Sequence, residues 1–330
     1  MLRFGLIGAG RIGKIHGGNI AANLGARLSL IADADAAAAK ALATATGAKP
    51  ASVADILAAA DIDAVVICSP TDTHAGLIEQ AAKAGKAVFC EKPVDLSSKR
   101  IRACLAVVRK AGVPLMIGFN RRFDPNFAEL KRRLDKGGAG SIEIVSITSR
   151  DPQPPPASYV QRSGGLFRDM MIHDLDMARF LLGEDPVAVQ ATGSSLVDPA
   201  IGKAGDVDTA AVILETRSGK IATISNSRRA AYGYDQRIEV HGSKGMLRAG
   251  NVHETTVESA GAAGFSRDVI LNFFLERYAA AYRAELAAFI EAVKRGKPPL
   301  PSGDDGLKAQ LLADAATESC QKRRRVEVKY

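Results

Sequence analysis

Short apolar runs alternate with alanine-rich stretches over the first part of the chain. The runs are bounded by glycine, proline or polar residues, which is typical of strands, and the stretches between them favour helices. Regular alternation of this kind predicts βαβ units and a parallel sheet. The predicted strands are Arg3–Ile7, Arg27–Asp33, Ala64–Cys68, Ala87–Cys90 and Leu115–Gly118, and the predicted helices are Asp35–Thr46, His74–Ala84 and Ser98–Ala111.

The pattern changes after Gly118, where a connecting helix is predicted over Pro125–Asp135. Longer strands with alternating polarity follow, and these favour a mainly antiparallel sheet covered on one face. The strands are Ile142–Thr148, Val187–Gly193, Ala210–Thr216, Lys220–Ser225 and Gln236–His241, and the helices are Leu166–Leu182, Asn272–Lys294 and Asp304–Cys320. The fold class is therefore α/β, with a Rossmann domain over residues 1–120 and an α+β domain over residues 121–330. The proline-rich stretch 151–156 is expected to be a loop, which either lines the ligand-binding cleft of the protein or acts as a plain spacer.

Composition limits the classes of function. The chain has 330 residues, a formal net charge of +8 and four widely spaced cysteines. The basic charge is spread along the chain and indicates solvated faces, or a field that attracts an anionic cofactor, more than nucleic-acid binding. The first residues suit a strand and not a signal peptide, and no apolar run approaches the roughly 20 residues of a membrane span. We expect a cytoplasmic protein with structural thiols, no membrane contact and no metal-ligand cluster.

A glycine motif follows the first predicted strand. Its glycines allow a tight turn, and the next helix begins with free N–H groups that suit a pyrophosphate. Asp33 ends the second strand, where a carboxylate would bind the adenosine ribose hydroxyls and repel a 2′-phosphate, so we predict NAD in preference to NADP; the alternative is a helix cap. The motif comprises Gly8, Gly10, Arg11, Ile12 and Gly13.

The carboxyl ends of two further strands add candidates for the cofactor site, because open α/β sheets bind ligands at this edge. They are Ser69, Pro70, His74, Glu91 and Lys92. The alternative to a cofactor-binding role for His74 is a structural one, in packing or in capping the helix that it begins. Lys92 lies between an apolar strand and a proline, where partial desolvation suits proton chemistry, although a surface lysine is the simpler interpretation.

A second group of ionisable residues lies within the predicted helix Leu166–Leu182. The spacing of Asp169, His173 and Asp176 places all three on one face of such a helix. An Asp–His hydrogen bond there could be purely structural. The functional alternative is alcohol oxidation, in which His173 takes the hydroxyl proton and Asp169 orients the imidazole.

Taken together, these motifs resemble the glucose–fructose oxidoreductase and inositol dehydrogenase family over essentially the whole chain. The glycine turn, Glu91-Lys92-Pro93 and the Asp169–His173 pair carry the general resemblance. Longer and more specific segments resemble its bacterial inositol dehydrogenases; they are 118–125, 149–152, 163–170, 232–235, 277–278, 281–282 and 301–303.

The resemblance implies an NAD-dependent oxidation of myo-inositol at C2, with Lys92, Asp169 and His173 as catalytic residues and Lys92 hydrogen-bonding the reacting oxygen. It also implies a homotetramer, often assembled through the open sheet. The implied substrate contacts are Asn120, Arg121, Asp151, Asp176, Tyr234 and Tyr282. Some members carry Met in place of Asn120 and Asn in place of Asp151. Other substrates, namely scyllo-inositol, chiro-inositol or an aldose, therefore stay open, as does a non-catalytic NAD-sensing protein.

Overall fold

The chain passes more than once between two structural units. The computed structural model describes the backbone of all 330 residues and every side chain except those at positions 157 and 161. Residues 1–123 and 281–310 form the first unit, and residues 124–280 and 311–330 form the second. Residues 281–310, which the sequence-based division places in the second domain, thus pack within the first unit.

A six-stranded parallel sheet forms the centre of the first unit, with the strand order β3-β2-β1-β4-β5-β6. The five predicted strands are confirmed to within one residue at each end, and β3 was not predicted. The strands are β1 (Leu2–Ile7), β2 (Ala26–Ala32), β3 (Lys49–Pro50), β4 (Ala64–Ile67), β5 (Ala87–Glu91) and β6 (Leu115–Gly118).

Five helices connect these strands, and one 3-10 turn follows β6. Asp35 and Ser97 cap two of the helices by accepting backbone N–H bonds, which fixes where the helices begin. The helix predicted from His74 begins earlier, at Thr71, with Pro70 as its N-cap and with the backbone N–H of Thr73 donating to the carbonyl oxygen of Pro70. The helices are α1 (Arg11–Ala21), α2 (Ala36–Thr46), α3 (Val53–Ala58), α4 (Thr71–Lys83) and α5 (Ser98–Ala111), and the 3-10 turn is Asn120–Phe123.

The second unit contains a seven-stranded sheet with the order β12-β11-β7-β10-β9-β8-β15. Strands β7 and β10 are parallel, and the other neighbouring pairs are antiparallel. The strands are β7 (Ile142–Arg150), β8 (Pro186–Ser194), β9 (Thr209–Thr216), β10 (Ile221–Ser227), β11 (Asp235–Gly242), β12 (Gly245–Ala249) and β15 (Val326–Glu327), and a separate hairpin pairs β13 (Glu258–Gly261) with β14 (Gly264–Arg267).

Polarity alternates along the strands of this sheet, as predicted for a sheet with one covered face. Val145, Val212 and Leu214 face the interior, where the helix Ile172–Leu182 packs against β7 and β10. The opposite face leaves apolar side chains exposed; they are Ile144, Ile213, Ile221 and Met246.

Helices in the second part of the chain are more interrupted than the apolar pattern predicted. The prediction of a single helix over Leu166–Leu182 is wrong. The backbone N–H of Met171 donates to the carbonyl oxygen of Leu166, five residues earlier and not four, and the helix is interrupted at this point. The helix over Asn272–Lys294 is likewise divided at Tyr278. The helices are α6 (Pro125–Asp135), α7 (Ala157–Ser163), α8 (Gly165–Asp169), α9 (Ile172–Leu182), α10 (Pro199–Lys203), α11 (Phe274–Arg277), α12 (Ala279–Lys294) and α13 (Gly303–Lys322). Among the described residues, no helix is both long and apolar enough to cross a membrane.

Candidate active site

The glycine turn after β1 is built so that backbone can approach a ligand. Gly8 has a φ of +105°, and a Cβ there would lie 2.5 Å from the backbone of Cys68. A Cβ on Gly13 would lie 1.9 Å from the carbonyl oxygen of Gly8. Gly10 faces open space and is the N-cap of α1, and the exposed Arg11 and half-buried Ile12 form the first helical turn. This arrangement suits a pyrophosphate at the N-terminus of α1.

Asp33 follows β2 and is bound to the glycine turn. Its carboxylate accepts hydrogen bonds from the backbone N–H of Ala9, at 2.5 Å, and of Asp35, at 2.8 Å. The N-cap of α2 is Asp35, whose side chain accepts hydrogen bonds from the backbone N–H groups of Ala37 and Ala38. The capping role considered for Asp33 therefore belongs to Asp35. A half-buried carboxylate beside the glycine turn fits the ribose of a dinucleotide.

The loops after β4 and β5 are joined through His74, which is 2 % exposed. Its Nδ1 lies 2.8 Å from the carbonyl oxygen of Pro93, and its Nε2 lies 2.7 Å from that of Ser69. The Ser69 hydroxyl hydrogen-bonds Thr73, and Pro70 is exposed at the start of α4. The packing role left open for His74 is thus present, because its ring ties together two loops at the ligand-binding edge of the sheet.

Glu91 ends β5 and Lys92, which is half-buried, follows it. The Glu91 carboxylate lies 2.7 Å from Nε2 of His16, and Glu285 lies close to both. Among the described side chains, these three are a grouping compact enough to hold a metal ion, and the sequence interpretation did not identify it. Tyr282 is 6 % exposed and places its ring edge-on to His16, with the centroids 5.6 Å apart.

The 3-10 turn after β6 contains two of the implied substrate contacts, Asn120 and Arg121. Their exposed fractions are 3 % and 5 %. In the part of the structure that is described, Oδ1 of Asn120 has no hydrogen-bond partner. A buried amide oxygen in that state is costly unless a ligand or water satisfies it, so the first unit retains a free acceptor suited to a hydroxyl group.

In the second unit, Asp169 and Asp151 are brought together by a residue that the sequence interpretation missed. Arg228 is 2 % exposed, with Nη2 lying 3.5 Å from Oδ2 of Asp169 and Nη1 lying 3.9 Å from Oδ2 of Asp151. Tyr159 donates from its hydroxyl to Oδ1 of Asp169 at 3.1 Å. The result is a buried cation between two partly exposed carboxylates.

The sheet register explains why Arg228 lies there. Strands β7 and β10 are parallel neighbours, and Arg150 at the end of β7 is paired with Ser227 at the end of β10. The residues that follow these partners, Asp151 and Arg228, therefore leave the sheet side by side. Both strands were predicted, but their parallel pairing was not, and that pairing is the information needed to find Arg228.

Asp169 and His173 lie on different helices, which corrects the prediction that Asp169, His173 and Asp176 share a face of one helix. Asp169 ends α8, whereas His173 is the second residue of α9. Asp176 is 1 % exposed and its Oδ1 lies 3.7 Å from Nη1 of Arg179. The break lets the helix turn that contains Asp169 be positioned independently of α9.

The start of α8 is held by Asp206, a further residue that the sequence did not reveal. Its carboxylate accepts the backbone N–H of Leu166 at 2.9 Å. Burial raises the pKa of Asp206, with backbone hydrogen bonds opposing that effect. Gly165 has a φ of +82°, and a Cβ there would lie 2.5 Å from Oδ1 of Asp206. This position requires glycine, because a side chain would displace the carboxylate that anchors the helix bearing Asp169.

Tyr234 precedes β11 and is 6 % exposed. Its ring meets that of Tyr278 edge-on, with the centroids 5.9 Å apart. Asp235, which follows it, is fully buried; burial opposes its ionisation, yet hydrogen bonds from Arg237, Tyr232 and Asn251 hold its pKa below the ordinary value. The Tyr234 position is thus fixed by a satisfied polar network on one side and an aromatic contact on the other.

Comparison with known proteins agrees with this organisation. Residues 2–119 match the family model described as oxidoreductase family, NAD-binding Rossmann fold, and residues 131–328 match the model for the C-terminal alpha/beta domain of the same family. An inositol 2-dehydrogenase from Rhizobium meliloti is 57 % identical over 327 residues, which is 99 % of each chain. A myo-inositol 2-dehydrogenase from Thermotoga maritima is 47 % identical over 99 % of this chain and 98 % of its own.

A solved structure adds a relative with bound ligands. The scyllo-inositol dehydrogenase from Lactobacillus casei, with bound cofactor NAD(H) and scyllo-inositol, superposes with a TM-score of 0.92 at 33 % identity. The match covers 99 % of both chains. The two-domain prediction of a parallel Rossmann sheet followed by a mainly antiparallel sheet is therefore confirmed by the fold and by the family models.

Proposed function

Because the chain belongs to the oxidoreductase family of glucose–fructose oxidoreductase and inositol dehydrogenase, we propose that it oxidises myo-inositol at C2, giving 2-keto-myo-inositol and NADH. The observation that carries the proposal is the 57 % identity, over 99 % of both chains, to an inositol 2-dehydrogenase. Lys92, Asp169 and His173 are all present in this chain to supply the proton chemistry.

NAD is the cofactor, and when bound it accepts the hydride from the substrate carbon. Gly8, Gly10, Arg11, Ile12 and Gly13 would hold the pyrophosphate through the open backbone at the start of α1. Asp33, already oriented by Ala9, would bind the adenosine ribose and disfavour a 2′-phosphate. Ser69, Pro70, His74 and Glu91 complete the proposed cofactor site, where His74 fixes the two loops that carry them.

The proton chemistry is assigned to three side chains. His173 removes the C2 hydroxyl proton, since an imidazole can accept a proton near neutral pH. Asp169 supports the imidazolium that forms, and Lys92 donates a hydrogen bond to the reacting oxygen. Arg228 and Tyr159 hold the Asp169 carboxylate from two sides, which keeps its orientation fixed.

The polyol is recognised by paired hydrogen bonds. We assign these contacts to Asn120, Arg121, Asp151, Asp176, Tyr234 and Tyr282. The unpaired Oδ1 of Asn120 supports its part, because it can accept from a substrate hydroxyl. A site of this kind rejects an analogue that leaves its buried polar groups without partners.

The second candidate is oxidation of scyllo-inositol, favoured by the structural match to a dehydrogenase that holds that polyol. Chiro-inositol and aldoses are further candidates within the same chemistry. A non-catalytic NAD-sensing protein is the alternative of another class, and it predicts NADH binding without turnover.

A substrate panel separates these functions. The purified enzyme is mixed with NAD near pH 9 and one of myo-inositol, scyllo-inositol, chiro-inositol, glucose or xylose, and NADH absorbance is followed, with NADP as a parallel cofactor. We expect the highest kcat/KM with myo-inositol and NAD. Higher kcat/KM with another polyol would reassign the substrate, and NADH binding without turnover of any of them would favour the sensing role.

We also propose a cytoplasmic homotetramer. The exposed apolar residues Ile144, Ile213, Ile221 and Met246 on one face of the second sheet support assembly, since contiguous apolar surface marks interfaces. The four cysteines are free thiols, in keeping with a reducing compartment. Sedimentation analysis tests the oligomer, and Ile213→Lys should lower its mass.

A further inference from the structure

Three ionisable side chains meet inside the first unit, and the mechanism above uses only one of them. They are His16 on α1, Glu91 at the end of β5 and Glu285 on α12. The side chains of His16 and Glu285 are fully buried, and that of Glu91 is 12 % exposed. The rings of Phe89 and Tyr282 pack on the imidazole at centroid distances of 5.0 and 5.6 Å. The cluster is therefore largely shielded from water.

Only one strong hydrogen bond joins the three groups. Nε2 of His16 lies 2.7 Å from Oε1 of Glu91, whereas Oε1 of Glu285 lies 4.0 Å from the same nitrogen. Neither oxygen of Glu285 has a hydrogen-bond partner in the described part of the structure. An ionised carboxylate in that environment would bear an uncompensated desolvation cost, and the neighbouring Glu91 would repel it.

We propose that Glu285 is held in its protonated form beside the His16–Glu91 hydrogen bond, and that this cluster, with one negative charge instead of two, acts as a positioning device for Glu91 and the adjoining Lys92. The assignment of a neutral Glu285 is independent of the enzyme's substrate. The consequence for Lys92 rests on the proposed function.

Electrostatics supports the same state. Burial, reinforced by the charge of Glu91, raises the pKa of Glu285 well above its ordinary value. Other titratable groups near the cluster include the phenol of Tyr282 and the thiols of Cys68 and Cys90, and burial raises the pKa of both thiols. A phenol and a thiol carry no positive charge in either protonation state, and among the described contacts His16 is the basic group whose nitrogen faces the two carboxyls.

The cluster is connected to the proposed catalytic residue Lys92 through Glu91. Glu91 and Lys92 are consecutive, so the direction in which Lys92 leaves β5 depends on how Glu91 is fixed. A Cβ added to Gly118 on the neighbouring strand β6 would lie 3.1 Å from the Glu91 carboxylate, which shows how closely that side chain is confined. Loss of Glu285 would leave space into which His16 and Glu91 can move.

The first test measures the unfolding temperature of the full-length enzyme without substrate from pH 5 to pH 8. A carboxyl whose folded pKa is raised contributes stability that is complete below the unfolded pKa, about 4.5, and declines as pH rises towards the folded pKa. Glu285→Gln cannot titrate, so its unfolding temperature relative to the unmodified enzyme should rise by about 3 °C or more across this range. Glu291→Gln on the exposed face of α12 is the matched control and should show a constant difference.

The second test measures kcat and KM for myo-inositol and NAD. Glu285→Ala should lose about tenfold or more in kcat, because small displacements of catalytic groups are costly. Glu285→Gln, the neutral isostere, should stay within about threefold of the unmodified enzyme. If Glu285→Ala does not fold, Gly118→Ala replaces it and should lower kcat by displacing Glu91.

Three outcomes would overturn the proposal. A pH-independent difference between Glu285→Gln and the unmodified enzyme would mean that Glu285 is ionised. Stoichiometric Zn²⁺ or Mn²⁺ in the unmodified enzyme, lost in Glu285→Gln, would make the cluster a metal site. Unchanged kcat in both Glu285→Ala and Gly118→Ala would remove the positioning role. If no polyol is oxidised, the proposed function fails, while the unfolding temperatures still decide the state of Glu285.

Discussion

Replacement of Arg228 tests whether the buried guanidinium organises the acidic half of the candidate site. Arg228→Met removes the positive charge while keeping a flexible side chain of similar length. The two carboxylates that it contacts, Asp151 and Asp169, would then both lose the positive charge of the guanidinium. We expect kcat/KM for myo-inositol to fall, because Asp169 loses the guanidinium contact that helps the Tyr159 hydroxyl to orient it.

The size of the effect follows from the geometry. Opposite unit charges 3.5 Å apart, as Arg228 and Asp169 are, attract by about 5 kcal/mol at an effective dielectric constant of about 20. The desolvation cost of the guanidinium and the partial exposure of Asp169 reduce this value. We expect about 2 kcal/mol of this ion-pair attraction to remain, which corresponds to a loss of about 30-fold in kcat/KM.

The assay is steady-state NADH formation, with unfolding temperature measured on the same samples. Arg229→Met is the matched control, since Arg229 is adjacent and exposed, and it should leave both quantities unchanged. Arg228→Lys should recover part of the activity, because it restores the charge but not the planar fork. Turnover by folded Arg228→Met within about twofold of the unmodified enzyme would refute this reasoning.

Three further changes probe other parts of the structure. Asp33→Ala should raise KM for NAD by about tenfold and lower the ratio of kcat/KM with NAD to kcat/KM with NADP. The variant loses the ribose contact and the negative charge that repels a 2′-phosphate. An unchanged ratio would contradict the role of Asp33. Gly165→Ala should lower the free energy of unfolding by about 1–3 kcal/mol more than Gly183→Ala, because both glycines have positive φ but only the first meets Asp206; equal losses in urea unfolding would argue against the contact. Arg277→Met should cost about 3–5 kcal/mol in the same measurement by leaving the buried Asp124 carboxylate without its cationic partner, and Asp124→Asn in the same chain should recover part of that loss.

Local sequence patterns were sufficient to predict five of the six strands of the first sheet and the glycine motif. The predicted strands are short and mainly apolar, and the glycine motif fixes both the end of β1 and the start of α1. Asp33 could be found because a strand end and a fixed spacing from the motif define its position. Such features depend on neighbours in sequence, which is why their positions are correct to within one residue.

The contacts around Asp169 and Glu285 could not be predicted from local sequence patterns. The break between α8 and α9 occurs at Met170 and Met171, which are good helix formers and give no sign of an interruption. Arg228 approaches Asp151 because β7 and β10 are parallel neighbours, and Glu285 approaches His16 because residues 281–310 pack within the first unit. These contacts depend on tertiary pairing, and a hydrophobic pattern specifies which face is buried but not which partner covers it.

The central claim is that hydride leaves C2 of myo-inositol for NAD. The most direct test supplies myo-inositol deuterated at C2 and follows the label in both products by mass spectrometry. We predict that the deuterium appears in the reduced cofactor, that the carbon product is 2-keto-myo-inositol without the label, and that His173→Ala forms neither while still binding NADH. Reduced cofactor without deuterium, or a labelled keto product, would place the oxidation at another carbon and contradict the proposed reaction.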